Sequence, residues 1–264
     1  MKIFLYNTTV SQILNILCGF FLQYRSLPSS STLAILANGP CTFFGPNVCF
    51  SAYHIFVGIS SSVAMSTSTT ILFRYFLLKN YRLSRIFIIE MIFISHLPPL
   101  IIPFTASWNF EIVRNQAYQE HSTYDLSIYE PFCGFQNTQS FSFIFATFLI
   151  ASGAYIVPIC ACIFVRKIVL LINEHTKMSQ NTKKVSRTLV KGLACQTLLP
   201  LICYIPIISL YLAAQISGKE ILLAEHLLGI LTCFPALIDP FISFYFIVPY
   251  RIAIVRHRLA ARFL

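Results

Sequence analysis

Six runs of apolar residues, each long enough to cross a lipid bilayer, constrain the fold of this chain more than any other feature. A helix needs about 20 such residues to span the hydrocarbon layer. Only helices and closed barrels satisfy their backbone hydrogen bonds in lipid, and these runs are too long and too unpatterned for barrel strands. We therefore predict an all-α, polytopic membrane helix bundle, a single transmembrane domain over residues 1–264. Its spans cover about residues 3–24, 48–78, 86–106, 141–165, 188–214 and 221–248.

The composition excludes a soluble globular protein. Hydrophobic residues make up 56% of the chain and charged residues only 11%, whereas a soluble domain carries about a quarter charged residues. So much apolar surface cannot be folded away from water in one compact core, and lipid is its natural solvent.

The positive charges predict the orientation of the bundle. Of the 19 lysines and arginines, sixteen lie at the amino terminus, the second and fourth connections or the carboxyl terminus. The other three are Arg25, Arg114 and Lys219, which lie in the alternate connections. Because cytoplasmic loops are rich in these residues, we predict that both termini are cytoplasmic. The net charge of +10 reflects this bias, so we expect membrane lipids and no nucleic acid as partners.

The nine cysteines divide into two groups. Six lie within apolar runs, where a cysteine is usually a small buried hydrophobe. The other three, Cys41, Cys49 and Cys133, lie in or beside polar connections that we predict to be extracellular, where oxidation is permitted. A bridge from Cys49 to Cys133 would hold the long third connection over the bundle, and Cys41 is the rival partner. No cysteine or histidine cluster has zinc spacing, so we expect no metal and no other cofactor.

Two charged positions in the spans are candidate functional residues. Arg74 lies 25 residues after Cys49 in the second span, and Tyr75 follows it near the inner end. Asp239 precedes Pro240 in the last span. An acidic group in lipid indicates a functional site. Two roles remain open for Asp239. A water-filled crevice could solvate its carboxylate, or the residue could form a hinge with Pro240.

The carboxyl terminus leaves the membrane at Pro249. From Tyr250 on, the sequence YRIAIVRHRLAARFL places apolar residues among Arg251 and three further arginines. This pattern predicts a short basic amphipathic helix over residues 250–263 that lies on the anionic inner leaflet.

Five segments carry a resemblance to a known family. They are FLQYR (21–25), NGPCTFFGPNVCFSAYH (38–54), FRYFLL (73–78), QTLLP (196–200) and IDPFISFYFIVPYR (238–251). With them, nearly the whole chain resembles the nematode serpentine chemoreceptors of class delta, which are seven-helix G-protein-coupled receptors. In that family FLQYR closes the second helix, so the resemblance implies that a first helix precedes the six spans predicted here.

The resemblance implies a chemosensory receptor in the plasma membrane of sensory neurons, with a small odorant or pheromone outside and a heterotrimeric G protein inside. Phe73 stands where rhodopsin-like receptors carry an acid before the inner arginine, and Tyr245 lies two residues later than the tyrosine of their last-span motif. The resemblance implies three sets of site residues. Those facing the G protein are Arg74, Tyr75, Lys183, Lys184 and Arg187. Those of the switch or hinge in the last span are Asp239, Pro240, Tyr245, Pro249, Tyr250 and Arg251, and the ligand pocket is near Tyr53, His54, Trp108 and Phe145.

Three other classes of protein are the alternatives to a chemosensory receptor. A channel or transporter would show internal repeats, broken helix pairs or several intramembrane charges along a path, and the sequence contains no such repeat. A membrane enzyme would need a nucleophile with a base, whereas the six histidines are scattered. We therefore expect no catalytic residues. A non-signalling receptor remnant of six spans is the remaining alternative.

Overall fold

The computed structural model describes residues 2–29, 31–79, 84–101, 110–130, 132–174, 180–217 and 221–246. Within these residues the predicted helical bundle is confirmed. Four helices are long and apolar enough to cross a membrane, and two others lie in the first and third predicted spans, so six crossings remain a prediction. The helices are α1 (Lys2–Leu22), α2 (Pro46–Leu78), α3 (Arg85–Ile101), α4 (Glu111–Glu120), α5 (Phe141–Glu174), α6 (Gln180–Ser217) and α7 (Leu222–Phe246).

Helices α5 and α6 extend beyond the spans predicted from hydropathy. The last nine residues of α5 and the first eight of α6 lie outside those spans and include several lysines and arginines. The α5 extension is held by an apolar cluster in which its Ile168 and Ile172 pack with Val190 and Leu193, which lie within the predicted span of α6. Hydropathy averaged over a window does not detect such a stripe of apolar residues, because the charged face of the helix lowers the mean hydropathy.

One end of the bundle is covered by a small folded cap. It contains a three-stranded antiparallel sheet in the order β1 (Tyr24–Pro28), β2 (Leu33–Ala37) and β3 (Cys133–Phe135). Helix α4 and the 3₁₀ turns Pro40–Phe44 and Leu126–Tyr129 complete the cap. In the register, Ile35 lies opposite both Ser26 and Cys133. The third connection is therefore tied to the first one by main-chain hydrogen bonds.

The cap has its own apolar interior. All five residues of β2 are buried, and Leu27, Leu36, Val113 and Leu126 form one cluster beneath α4. This sheet is not among the elements predicted from the sequence. A buried run of five apolar residues such as LAILA has no period that separates strand from helix.

Polar side chains of α1 face the inside of the bundle. Asn7 donates to Ser66 (2.8 Å), and Ser60 donates to Asn15 (2.6 Å), both across the α1–α2 interface. Gln12 donates to Asp239 of α7. Such contacts orient α1 because a polar group facing lipid would lose its partner. The opposite face of α1 is apolar and exposed at Ile3, Tyr6, Val10, Ile13, Leu17 and Phe20.

Candidate functional site

A cavity of about 110 Å³ lies between the cap and the interior of the bundle. It is bounded by α2, α5, α6 and α7, and one residue from each strand of the sheet reaches it. The described residues that line it include Tyr24, Leu33, Tyr53, His54, Val57, Ala64, Phe135, Phe143, Ala146, Thr147, Ala154, Tyr204, Ile208, Tyr211, Leu228 and Thr232.

The walls follow helical spacing. Helix α2 presents residues 53, 54, 57, 60, 61 and 64, and α5 presents residues 143, 146, 147, 150 and 154. These are positions three and four apart, which share one face of a helix. Alanine and glycine on these faces leave room that larger side chains would fill, since Gly153 has only Ser61 near its missing Cβ.

Aromatic rings enclose the end of the cavity next to the cap. The Tyr24 ring meets the Tyr53 ring edge-on, with centroids 5.2 Å apart. Phe135 of β3 packs in the same way on Phe50 (5.2 Å) and Phe143 (4.9 Å). This edge-to-face packing is favourable for rings, and it joins the cap to the helices that form the walls.

His54 is the cavity's histidine, and it is 2% exposed. Its Nδ1 lies 2.9 Å from the Phe50 carbonyl oxygen, one turn earlier in α2. Its Nε2 is buried and has no hydrogen-bond partner among the described residues. Since a carbonyl oxygen can only accept, Nδ1 carries the proton of that bond.

Of the four predicted pocket residues, two line the cavity, one does not, and one lies outside the described residues. Tyr53 and His54 both line the cavity. Phe145 was wrongly placed: it is 36% exposed on the outer face of α5 and stacks on Phe141 (6.0 Å). Its neighbours Phe143 and Ala146 line the cavity instead, because they belong to the buried face of the same helix. Trp108 lies outside the described residues.

The disulfide joins Cys49 to Cys41 and not to Cys133. The favoured pairing in the sequence analysis was therefore wrong, and the rival partner is the one present. The 3₁₀ turn Pro40–Phe44 folds back onto the first turn of α2, which brings the two cysteines together. Cys133 is a buried free thiol that donates to the Ile35 carbonyl oxygen (3.3 Å). Burial raises the pKa of this thiol to about 12, so it is protonated at neutral pH.

A buried ion pair joins the cap to α7. Both Nε and Nη2 of Arg25 donate to one oxygen of Glu225, at 3.1 and 2.6 Å. The Glu225 side chain is fully buried, and the guanidinium lies 4.6 Å from the centre of the Tyr124 ring. Burial by itself lowers the pKa of Arg25, but the hydrogen bond and charge of Glu225 outweigh it and raise that pKa. Arg25 is predicted from the sequence only as a loop charge, since two residues 200 positions apart give no local signal.

Arg74 and Tyr75 lie toward the end of α2 that is remote from the cap. The Nε and Nη1 atoms of Arg74 are buried without a hydrogen-bond partner in the part of the chain that the structure describes. Tyr75 packs on Phe164 of α5 (5.4 Å). At the same end, Lys184 and Arg187 are exposed, and Arg187 donates to Asn173 (3.0 Å). Lys183 is in α6, and its side chain lies outside the described residues.

Asp239 and Pro240 lie inside α7. The Asp239 carboxylate is 7% exposed; one oxygen accepts from Gln12, and the other has no hydrogen-bond partner among the described residues. Tyr245 is 70% exposed and packs only on its neighbour Phe246 among the ring contacts described. Tyr245 therefore points away from the bundle interior, where Asp239 lies, and this contradicts its expected role in a switch. Pro249, Tyr250, Arg251 and the predicted surface helix 250–263 lie outside the described residues.

Among the described residues, no group of three or more histidine, cysteine or acidic side chains could hold a metal ion. The space below the cap is mostly apolar. An apolar cavity with a few polar groups is the usual form of a small-molecule site. Together, the fold and the cavity define the chain as a multi-pass helical membrane protein with a ligand-sized space at one end.

Comparison with known proteins identifies the family. Residues 1–256 match the family described as serpentine type 7TM GPCR chemoreceptor Srd. The chain belongs to this family of nematode chemoreceptors, which is a receptor family and not an enzyme family. No solved structure matches the chain.

Curated relatives from Caenorhabditis elegans agree with this result. Serpentine receptor class delta-59 is 44% identical over 265 residues, which cover 99% of this chain and 82% of that receptor. Serpentine receptor class delta-51 is 33% identical, over 97% of this chain and 76% of that receptor. Serpentine receptor class delta-50 is 30% identical, over 95% and 78%. The similarity therefore extends over almost all of this chain.

Proposed function

We propose that the chain detects a small, mainly apolar chemical from outside the cell and signals through a heterotrimeric G protein inside it. The observation that carries the proposal is the enclosed cavity below the cap. Its walls come from four helices that continue to the opposite end of the bundle. A ligand between them would therefore contact the elements whose other ends form the proposed G-protein surface.

The end remote from the cap fits a cytoplasmic partner. Its described cations include Lys79, Arg166, Lys167, Lys184 and Lys191, whereas the cap carries Arg25 and Arg114, each paired with a carboxylate. The Nε and Nη1 atoms of Arg74, which have no hydrogen-bond partner among the described residues, could donate to carbonyl or carboxylate oxygens of a partner. We place the receptor in the plasma membrane of chemosensory neurons, as the nematode family suggests.

The test is nucleotide exchange on a G protein reconstituted with the full chain. Vesicles containing the chain and a Gα–βγ trimer are exposed to a panel of small apolar compounds, and binding of GTPγS is followed. We expect at least one compound to accelerate exchange, and Arg74→Ala to abolish that response while the compound still binds. Lys191→Ala is the matched control, because it removes one exposed cation from the same end without altering Arg74.

Ion or solute flux measures the chief alternative function. A channel or transporter would carry flux across these vesicles, and Arg74→Ala would leave that flux intact. Compound-dependent flux without nucleotide exchange would therefore contradict the proposal. Binding without either response would instead support a non-signalling receptor.

A further inference from the structure

We infer that the cavity selects neutral ligands that carry a hydrogen-bond donor, such as a small alcohol, and that the Nε2 atom of His54 is the acceptor. This inference rests on the proposed function, since it names the ligand chemistry of the same cavity. It begins from the one described lining residue that has a buried side-chain atom without a hydrogen-bond partner.

Two of the other polar groups around the cavity have partners inside the protein. Tyr204 donates to the Thr232 carbonyl oxygen (3.4 Å), and Ser60 donates to Asn15 (2.6 Å). Among the described lining residues, His54 alone has a buried side-chain nitrogen or oxygen without a partner. A buried polar atom left unpaired destabilises the protein, and a suitable ligand group would offset that cost.

The hydrogen bond to Phe50 fixes what this atom can do. Because Nδ1 donates to the carbonyl oxygen of Phe50, a neutral His54 has its lone pair on Nε2. That nitrogen lies on the edge of the ring opposite the backbone of α2. The ring is held by edge-on contact with Phe50, with centroids 4.5 Å apart, and by Phe135 at 5.2 Å. The acceptor is therefore in a fixed position before any ligand arrives.

The surroundings favour neutral ligands over ions. No described residue that lines the cavity is aspartate, glutamate, lysine or arginine. A charged ligand, or a protonated His54, would lack a counter-charge in apolar surroundings, and that costs far more than burying a hydroxyl group. The volume of about 110 Å³ also limits the ligand to a small molecule.

The experiment uses four probes that differ in one functional group: benzyl alcohol, benzyl methyl ether, toluene and benzoate. The full chain is reconstituted in phosphatidylcholine nanodiscs with ¹⁵N-labelled histidine, and empty nanodiscs correct for partition into lipid. We expect benzyl alcohol to bind more tightly than the ether or toluene, by about three- to tenfold, the value of one net hydrogen bond. Only benzyl alcohol should shift the unprotonated ¹⁵Nε2 resonance of His54.

The His54→Phe variant keeps a ring and removes the acceptor. It should abolish the preference for benzyl alcohol and leave toluene binding unchanged. His226→Phe is the matched control, since His226 is exposed on α7 and does not line this cavity; it should retain the preference. If His54→Phe does not fold, the ¹⁵N spectrum of the wild-type chain still decides the question.

Three outcomes would overturn the inference, and they separate it from the proposed function. Equal binding of benzyl alcohol and toluene would remove the donor requirement and leave the cavity as a ligand site. Tighter binding of benzoate would show that His54 acts as a cation. Failure of all four probes to bind would contradict the cavity's role in the proposed function as well.

Discussion

At the level of single residues, the cap is joined to the helices by one disulfide and one buried ion pair. Cys41–Cys49 links the 3₁₀ turn to α2, and Arg25–Glu225 links β1 to α7. Both lie near the aromatic residues that enclose the cavity. We therefore expect both interactions to stabilise the cap over the cavity.

The disulfide pairing leads to the first prediction. Cys41→Ser and Cys49→Ser should each lower the free energy of unfolding by about 2–4 kcal/mol, and the double variant should lose no more than either alone. Cys133→Ala should cost only about 1 kcal/mol, because it removes one buried thiol and its hydrogen bond. Unfolding in mixed micelles of a mild detergent and SDS measures these values. A Cys133 variant as unstable as the Cys49 variant, with Cys41→Ser neutral, would restore the Cys49–Cys133 pairing.

The ion pair leads to the second prediction. Glu225→Gln should lower the free energy of unfolding by about 3–5 kcal/mol, because it leaves the Arg25 charge buried and unpaired. Glu130→Gln is the matched control: it breaks the pair between Arg114 and Glu130, whose side chains are 54% and 37% exposed. Breaking that pair should cost less than about 1 kcal/mol. The same micelle titration compares the two, and equal losses would contradict a special role for the buried pair.

Only some of these residues can be identified from the sequence. Cys41, Cys49, Tyr53 and His54 stand out because they are unusual residues beside or within an apolar run. Glu225 and Arg25 do not, since each alone is an ordinary charge near a span end and only the fold brings them together. The predicted pocket residue of α5, Phe145, lies on the wrong face of the helix. The membrane-spanning part of α5 is apolar all round, so its sequence has no polar side that identifies the face toward lipid.

At the level of secondary structure, hydropathy predicts the helices because lipid requires long apolar runs. The helix ends beyond the membrane and the sheet of the cap follow other rules. The α5 extension depends on apolar contacts of Ile168 and Ile172 with α6, and β2 pairs both with β1, which precedes it by a short turn, and with β3, about 100 residues later. The contacts with α6 and with β3 are not present in one local window.

Close packing of α6 on α7 gives the third prediction. A Cβ atom at Gly192 would lie 2.6 Å from the Cβ of Phe246, whereas one at Gly153 would find only the Ser61 hydroxyl at 3.5 Å. Gly192→Ala should therefore force the two helices apart and cost about 1–3 kcal/mol. Gly153→Ala should be neutral or stabilising by up to about 1 kcal/mol, since alanine restricts the unfolded chain. Thermal unfolding in nanodiscs compares them, and equal melting temperatures would show that α6 and α7 are not in close contact there.

At the level of the whole molecule, the strict alternation of charge along the sequence becomes a difference between the two ends of the bundle. The exposed cations of α5 and α6, which include Arg166, Lys167, Lys184 and Lys191, lie remote from the cap, while the cap contains the four carboxylates of the long third connection. This separation is independent of the family comparison. It supports a cap outside the cell and a basic end in the cytoplasm.

Glycosylation provides the fourth prediction, because acceptor sites are modified only on the extracytoplasmic side. Glu120→Asn creates an acceptor sequence with Ser122 at the exposed end of α4. We expect this variant to carry a glycan when it is made in a eukaryotic cell. The mobility shift on a gel should disappear after treatment with a glycosidase.

The matched control for this experiment lies at the other end of the bundle. His175→Thr creates an acceptor at Asn173, which is exposed at the end of α5, and this variant should remain unmodified. The wild-type chain should also remain unmodified, because its own Asn7-Thr8-Thr9 sequence lies within α1, where Asn7 donates to Ser66. A glycan on Asn173 and none at position 120 would invert the orientation. The cavity would then open toward the cytoplasm, so detection of an external chemical could not be its function.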